Sequence, residues 1–446
     1  MVSSTHSPRS ATIVIAILAA LAVTQFARTG VAVGAIAFPP AQILDDTSYR
    51  SNPEVIVDGR DEATIAWRRW SDQESQVKVA HLNRSTLEST VTLDQGDITS
   101  APQMVVDEQN RVTVFWAVDE GGEAEIRFAR ISASGEVGAV RTIPTQLSVY
   151  DLRAAIDHQG LSTLAWTTPS FGFIPFRYRI QSVQVHADGA AGAIQTLPFG
   201  GRDSQPQVAV DPAGTATVVW KRPGRRDSSY PRIQAARFGA DGSIGPVTDL
   251  SGPTDDAADP RLAIDDEGHA TVVWEFRDET NRDAIQAVRI GAGGHPGEAE
   301  TLSRPGTVNS SPAVDIDSHG RSLVVWTGYD GPGTRIESTL LSPDGHAGPV
   351  GRLSTSDSYA YSPEVAFDSR DRAMVVWRRY QSPKHSVQAL RLRPEAHRRN
   401  VVKVAGGGGS SRDGELRIAF DTRDRPRIVW PGPYPSTTRG ILTRRP

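Results

Sequence analysis

The sequence predicts an all-β fold, an eight-bladed β-propeller of four-stranded antiparallel blades, from two observations. An Asp recurs eight times at steps of 49 to 54 residues, and a Trp stands nine residues after each one. Units of about 50 residues rich in alternating apolar stretches are typical of propeller blades. The Asp residues are Asp58, Asp107, Asp157, Asp211, Asp265, Asp317, Asp368 and Asp421. The Trp residues are Trp67, Trp116, Trp166, Trp220, Trp274, Trp326, Trp377 and Trp430.

Each unit begins as a short hairpin, such as VAVDPAGTATVVW at 208–220. The first strand alternates, and its Asp opens the turn, where the carboxylate can accept a hydrogen bond from the backbone N–H two residues later. Three residues after the Asp stands Gly, Asn or Asp in every unit, and these residues tolerate a left-handed backbone. The second strand ends at the Trp, whose fixed register predicts packing between blades rather than a sugar-binding ladder.

Two further strands complete each unit, as in IQAARF at 233–238 and PVTDL at 246–250. The last unit is one strand short, because only 439–445 reads as a strand after Trp430. A spare strand at 39–46 precedes the first unit, so we expect the N-terminal strand to close the last blade and leave no open sheet edge. Seven blades plus an extra sheet is the alternative.

The repeated D-x-x-G-x-A-x-V-V-W pattern, which spans 38–446, resembles secreted bacterial β-propellers of actinobacterial type that lack an assigned activity. That resemblance implies ligand binding on the face of variable loops. The hairpin is also loosely similar to the Asp-box of sialidases, Ser-x-Asp-x-Gly-x-Thr-Trp. Here, however, the Gly lies three residues and the Trp nine residues after the Asp. No arginine cluster with a Tyr nucleophile and acidic partners can be assigned from the sequence.

The N-terminus is typical of a secretory signal peptide, since Arg9 precedes an apolar run at 11–23 and small residues follow up to Ala37. The run is shorter than the ~20 residues of a membrane-spanning helix. We therefore expect cleavage near Ala37, with a signal peptide at 1–37 and an exported propeller at 38–446. An uncleaved N-terminal membrane anchor is the alternative.

Composition and motifs exclude several function classes. The chain has no Cys, which excludes disulfides, Cys-ligated zinc and thiol catalysis. A net charge of −4 gives no electrostatic footprint for nucleic acid. The scattered His residues show no metal-ligand spacing, and neither a nucleophile elbow nor a phosphate loop occurs. We expect no metal and no cofactor, and we interpret GGGGSS at 406–411 as a flexible connector.

Candidate binding residues come from the loops after each Trp and before each repeat. Turns alternate between the two faces of a ring of up-and-down blades, so these variable loops share one face, where binding residues tend to sit. Exposed aromatic rings beside Arg suit sugar stacking or a protein hot spot, although such residues also pack rims. The candidates are Arg68, Arg69, Trp70, Phe171, Phe173, Phe176, Tyr178, Arg222, Tyr230, Arg378, Arg379 and Tyr380.

These observations predict a secreted, monomeric, non-catalytic binding scaffold that recognises carbohydrate or an envelope protein through its variable-loop face. One alternative is a carbohydrate-active enzyme of sialidase-like or lyase-like design, which would need paired acids and a Tyr or His converging on the axis. Another is a purely structural envelope protein, which predicts a featureless variable face.

Overall fold

The computed structural model describes part of the chain. The described residues are 12–17, 42–45, 52–70, 74–83, 86–170, 177–197, 202–224, 230–277, 283–329, 331, 333–355, 359–382, 384–392, 401–408 and 415–432. Over these residues the secondary structure consists of strands and turns, without a helix. A helical membrane span was accordingly not found among them.

The first four sheets follow one another along the chain, and each contains four antiparallel strands. Sheet 1 contains β3 (Glu54–Val57), β4 (Glu62–Trp70), β5 (Ser75–Asn83) and β6 (Thr86–Gly96). Sheet 2 contains β7 (Gln103–Val106), β8 (Val112–Glu120), β9 (Glu123–Ile131) and β10 (Arg141–Pro144). Sheet 3 contains β11 (Tyr150–Ile156), β12 (Ser162–Ser170), β13 (Arg177–Val185) and β14 (Gln195–Thr196). Sheet 4 contains β15 (Ser204–Val210), β16 (Ala216–Arg222), β17 (Arg232–Phe238) and β18 (Thr248–Asp249).

Three more four-stranded sheets repeat the pattern, and an eighth sheet follows them. Sheet 5 contains β19 (Asp256–Ile264), β20 (Ala270–Arg277), β21 (Asp283–Ile290) and β22 (Glu300–Thr301). Sheet 6 contains β23 (Val308–Ile316), β24 (Ser322–Tyr329), β25 (Thr334–Leu341) and β26 (Gly351–Arg352). Sheet 7 contains β27 (Tyr359–Phe367), β28 (Ala373–Gln381), β29 (Lys384–Leu392) and β30 (Val402–Gly408). Sheet 8 is built on the hairpin of β31 (Arg417–Phe420) and β32 (Pro426–Gly432).

The innermost strands form a closed series; they are the first strands of sheets 1 to 7 and β31 of sheet 8. Strand β3 contacts β7, β7 contacts β11, and the series continues sheet by sheet until β27 contacts β31. Strand β31 in turn contacts β3, which joins the last sheet to the first. The inner strands therefore surround a common axis.

N-terminal residues extend sheet 8, as the sequence predicts, but with a different strand beside the hairpin. Strand β1 (Thr12–Ile17) pairs antiparallel with β32, with Val14 opposite Trp430. Strand β2 (Gln42–Asp45), from the expected closing segment, pairs with β1 and not with β32. The strand expected at 439–445 lies outside the described residues.

The repeat Trp side chains pack between neighbouring sheets, which confirms the structural interpretation of their register. All eight are at most 2% exposed. Each pair of neighbouring sheets shares one hydrophobic cluster, eight clusters in all. The cluster that joins sheet 8 to sheet 1 places Val429 against Trp67 and Ile65. The core is thus a set of wedge-shaped contacts repeated around the axis.

The repeat Asp residues cap their own turns, as the sequence predicts. In the fourth unit, Oδ1 of Asp211 accepts hydrogen bonds from the N–H of Ala213 at 3.0 Å and of Thr215 at 2.8 Å. The same pair of bonds, to the residues two and four positions later, occurs in all eight units. The residue three positions after each Asp has a positive φ, which explains its restriction to Gly, Asn and Asp.

The glycine run does not act as a connector over its whole length. Gly406, Gly407 and Gly408 belong to β30 and pair with Ser386, His385 and Lys384 of β29. The prediction of a flexible connector is wrong for these three residues, because they are paired in the antiparallel ladder with β29. The remainder of the run lies outside the described residues.

Candidate functional site

The two faces of the ring differ in composition. The face that carries the Asp turns is called the turn face here, and the opposite face, with the loops that follow each Trp, is called the variable-loop face. Each inner strand runs from the variable-loop face to the turn face. The inner strands of sheets 3 to 7 have seven or nine residues, whereas β3 and β7 have four.

A polar cavity of about 250 Å³ lies on the axis, and one position of the repeat supplies most of its lining. That position is four residues before each turn Asp, roughly the middle of the longer inner strands. The side chains there are Glu54, Gln103, Arg153, Gln207, Arg261, Ala313, Glu364 and Arg417. Glu415, two residues before the last of them, also lines the cavity. Seven of the eight ring positions thus carry a polar or charged residue.

In one half of this ring, Arg417 forms ion pairs with three carboxylates. Its Nε lies 3.1 Å from Oε1 of Glu54, and its Nη1 lies 3.2 Å from Oε1 of Glu364. Its Nη2 donates to Oε2 of Glu415. Sheets 7, 8 and 1 therefore contribute an ion-paired Glu–Arg–Glu group that joins the two ends of the repeat series.

The three carboxyl groups have different pKa values because their surroundings differ. Burial raises the pKa of Glu364 to about 7, and the charge of Arg417 only partly opposes this effect. Burial also raises the pKa of Glu54. In contrast, the charges of Arg417, Arg261 and Arg153 lower the pKa of Glu415 to about 2. At neutral pH the cavity therefore holds one firmly ionised carboxylate, on Glu415, beside two carboxyl groups that ionise less readily.

The other half of the ring, on sheets 2 to 5, carries no carboxylate at this position. It reads Gln103, Arg153, Gln207 and Arg261 in order. Nη1 of Arg153 donates to the carbonyl of Leu152 at 3.0 Å, and among the described residues Arg153 forms no ion pair. Arg261 approaches Oε1 of Glu415 only at 3.9 Å. This half presents two guanidinium groups flanked by amides to the cavity.

A bulge interrupts each longer inner strand just before the ring position. The register shifts in sheets 3 to 7, and one residue in each bulge has a φ between 49° and 56°. These residues are Asp151, Gln205, Asp259, Ser311 and Ser362. Gln205 and Asp259 bond across adjacent sheets, since the N–H of Asp259 donates to Oε1 of Gln205 at 3.1 Å. Bulges re-aim side chains, and they are common next to functional sites.

Exposed aromatic side chains lie on the variable-loop face of five of the sheets. Within the described residues, five aromatic side chains count as exposed, at 43–52%, and all five lie at inner-strand starts, second-strand ends or the loops after them. They are Trp70, Tyr150, Tyr230, Tyr329 and Tyr359. We call this set the aromatic rim. None belongs to the turn face.

The structure brings several predicted site residues into this rim. The guanidinium of Arg68 stacks 4.3 Å from the ring centroid of Trp70. The ring of Tyr178 lies edge-on to Tyr150, with 6.4 Å between centroids. Tyr380 lies 6.3 Å from Tyr359.

The remaining candidates differ in their accessibility. Tyr230 is exposed, whereas Arg69, Arg222 and Arg379 are partly buried. The side chain of Arg69 donates to Oε1 of Gln76 at 3.4 Å. Arg378 is 6% exposed and lies 3.5 Å from the carbonyl of Pro431, so it packs sheet 7 against sheet 8 and does not reach solvent. Phe171, Phe173 and Phe176 lie outside the described residues. Sequence reasoning missed the axial ring, although a polar or charged residue four positions before seven of the eight Asp residues was a signal that could have revealed it.

Among the residues that the structure describes, one group of possible metal ligands was found, on the turn face, formed by Asp317, His319 and Asp371. Asp317 accepts two backbone hydrogen bonds within its own turn. Asp371 accepts from the N–H and hydroxyl of Ser318, each at 2.9 Å. These carboxylates already have hydrogen-bond donors, so the group is explained by turn packing between sheets 6 and 7.

Comparison with known proteins identifies the fold and no family. No family model matches the sequence, and a search of curated proteins found no match. A lectin from Burkholderia pseudomallei superimposes with a TM-score of 0.51 and 9% identity, over 80% of this chain and 99% of the lectin. The chain has a β-propeller fold.

Two further solved structures are similar at lower scores. The β-propeller domain of the Trilobed protease from Pyrococcus furiosus has a TM-score of 0.45 and 8% identity, over 79% of this chain and 98% of that domain. A Penicillium chrysogenum α-L-arabinanase complexed with arabinobiose has a TM-score of 0.41 and 14% identity, over 63% of this chain and 88% of the arabinanase.

Proposed function

We propose that this protein is an eight-bladed β-propeller that binds carbohydrate on its variable-loop face without covalent chemistry. The observation that carries the proposal is the aromatic rim on the variable-loop face of a ring whose axis holds a polar cavity. Sugar rings present apolar C–H faces and many hydroxyls, so they suit aromatic platforms combined with Arg, Gln and Glu side chains. The closed series of eight inner strands supports the blade count.

Asymmetry between the two faces supports a binding role over a purely structural one. The turn face is stereotyped, since every unit closes it with the same Asp-capped turn. The variable-loop face differs from sheet to sheet in loop length and in which aromatic it carries. The structural similarity to a lectin agrees with carbohydrate as the ligand class.

A glycan array probed with the purified full chain tests this proposal. We expect dose-dependent binding to a subset of glycans that falls at least about fivefold in Trp70→Ala and Tyr359→Ala, because a lost stacking platform removes about 1–3 kcal/mol. Val140→Ala is the matched control, since Val140 is as exposed as Trp70, at 43%, yet lies outside the rim. A blank array with a well-folded protein would overturn the proposal.

A glycoside hydrolase is the second candidate, because Glu364 and Glu415 meet the same guanidinium with pKa values of about 7 and about 2. Such a pair resembles the acid and the ionised carboxylate of glycosidases. The described lining of the cavity contains no Tyr or His. Glu364→Gln separates the candidates: a hydrolase loses turnover in this variant, whereas a binding protein retains its glycan.

We also propose that the protein is secreted and monomeric. We propose that residues 1–37 are a signal peptide and that the exported chain acts outside the cell. N-terminal sequencing of the protein from culture medium should then begin near residue 38. Because β1 belongs to that segment, cleavage would remove the strand that pairs with β32 in the structure.

A further inference from the structure

We propose that the axial cavity binds the carboxylate of an acidic sugar between Arg153 and Arg261. This inference deepens the proposed carbohydrate function by naming the ligand class. It depends on the rim to supply the platform for the sugar ring, while the ring of polar residues supplies recognition of charge.

The two halves of the cavity lining differ in how their Arg residues are paired. Arg417 is occupied by Glu54, Glu364 and Glu415, so its positive charge is satisfied within the protein. Arg153 and Arg261 stand two sheets apart with Gln207 between them. Each donates to a carbonyl of its own strand, and Arg261 also forms a long ion pair with Glu415 at 3.9 Å. Arg is the residue that recognises planar carboxylates through two parallel N–H bonds. The amides of Gln103 and Gln207 can donate to neighbouring hydroxyls.

Charge within the cavity favours an anion. The lining carries three Arg and three Glu, and would be neutral if all were ionised. Burial raises the pKa of Glu364 to about 7, so this carboxyl is only partly ionised at neutral pH and the positive charges are in excess. Desolvation also lowers the pKa of Arg153, the cost that an incoming carboxylate would offset. A volume of about 250 Å³ lies just below the range of ~300–1,000 Å³ for drug-sized sites, so it suits one small polar group.

Binding should strengthen as the pH falls. Glu364 faces Arg417, Glu415, Arg261 and Glu54, and its pKa is about 7. Lowering the pH from 8 to 5.5 neutralises Glu364, while a sugar carboxylate and Glu415 remain ionised. One repelling charge is thereby removed from the cavity. Glu364→Gln should bind with the wild-type low-pH affinity at both pH values.

Titration of the full chain with galacturonate and galactose tests the inference, because the two sugars differ only in the carboxylate. We expect galacturonate to bind at least tenfold more tightly, and Arg153→Gln and Arg261→Gln each to lose about tenfold or more. Gln occupies the same position in sheets 2 and 4, so these variants should fold. Arg370→Gln removes a positive charge from the turn face, where its side chain is 67% exposed, and is the matched control.

Each other outcome contradicts the inference in a distinguishable way. Equal binding of both sugars would overturn the acidic-ligand assignment while leaving carbohydrate binding intact. Acetate that binds as tightly as galacturonate would show a site for any carboxylate, free of sugar recognition. Binding of neither sugar overturns the inference, and only a blank glycan array in addition overturns the proposed function. Loss in Arg370→Gln equal to that in Arg153→Gln would show a general charge effect and refute the assigned position.

Discussion

Asp61 joins the last sheet to the first at the turn face, and removing its carboxylate should destabilise the ring. Its Oδ1 accepts from the N–H of Thr422 at 2.9 Å and from the Thr422 hydroxyl at 2.5 Å. Its Oδ2 faces Arg423 at 3.4 Å and Arg425 at 3.5 Å. The side chain is 7% exposed. Glycine is the appropriate replacement, because the φ of Asp61 is 69° and the third to sixth units carry Gly there.

The size of the effect follows from the lost hydrogen bonds. Bonds to a charged group contribute about 1.5–3 kcal/mol each, so the loss of two in Asp61→Gly costs about 3 kcal/mol or more. For 446 residues that unfold as one unit, the unfolding entropy is about 0.9 kcal/mol per kelvin, so Tm should fall by about 3 °C. Asp61→Asn keeps an acceptor for the Thr422 N–H, as Asn110 does for Gly59 at 2.7 Å, and should lose less than half as much.

Differential scanning calorimetry as a function of pH is the assay. The hydrogen bond from the Thr422 hydroxyl holds the pKa of Asp61 below its ordinary value. Its contribution is therefore fully present above the unfolded pKa of about 3.9 and is lost as the pH falls through the lower folded pKa. The difference between wild type and Asp61→Gly should persist at pH 7 and pH 5 and shrink below about pH 4. Equal Tm values at pH 7 would refute the reasoning.

Three further predictions concern single residues. Trp220→Ala should lower the free energy of unfolding by about 3–5 kcal/mol in chemical denaturation, because it leaves a cavity between sheets 3 and 4; a loss under 1 kcal/mol would contradict the wedge packing. Asp211→Ala should cost about 1–3 kcal/mol by the same measurement, since two turn N–H groups lose their acceptor, and Asp211→Asn should cost less. Burial raises the pKa of Asp315 to about 6, so the ionised carboxylate destabilises the fold at high pH. Asp315→Asn still accepts a hydrogen bond from the N–H of Phe367, and it should be more stable than wild type at pH 8 and equally stable at pH 4. An equal difference at both pH values would show that ionisation of Asp315 is irrelevant.

Local chemistry made much of the fold predictable. The Asp caps, the positive-φ residues and the buried Trp residues each depend on contacts within one hairpin or on a face repeated in every unit. Strand alternation places those residues without knowledge of the rest of the chain. The same periodicity also placed the variable loops on one face, where the aromatic rim lies.

Features that depend on distant parts of the chain could not be predicted. Arg417 binds Glu54, which is 363 residues earlier, and no local pattern pairs those two side chains. The strand after Trp430 was expected at 439–445, yet residues 12–17 pair with β32, and this exchange depends on a segment more than 400 residues away. The burial of Arg378 likewise depends on Pro431 of the neighbouring sheet. The sequence suggested that Arg378 lies in an exposed loop, whereas it forms a contact between sheets 7 and 8.

Hydrogen–deuterium exchange of the full chain, with and without the glycan that it retains on the array, tests the central claim most directly. Carbohydrate binding at the variable-loop face predicts slower exchange in peptides at the starts of the inner strands, Tyr150–Ile156 and Tyr359–Phe367, with no change in the Asp turns at 157–161 and 368–372. Protection confined to those turns would place the ligand on the opposite face and contradict the account.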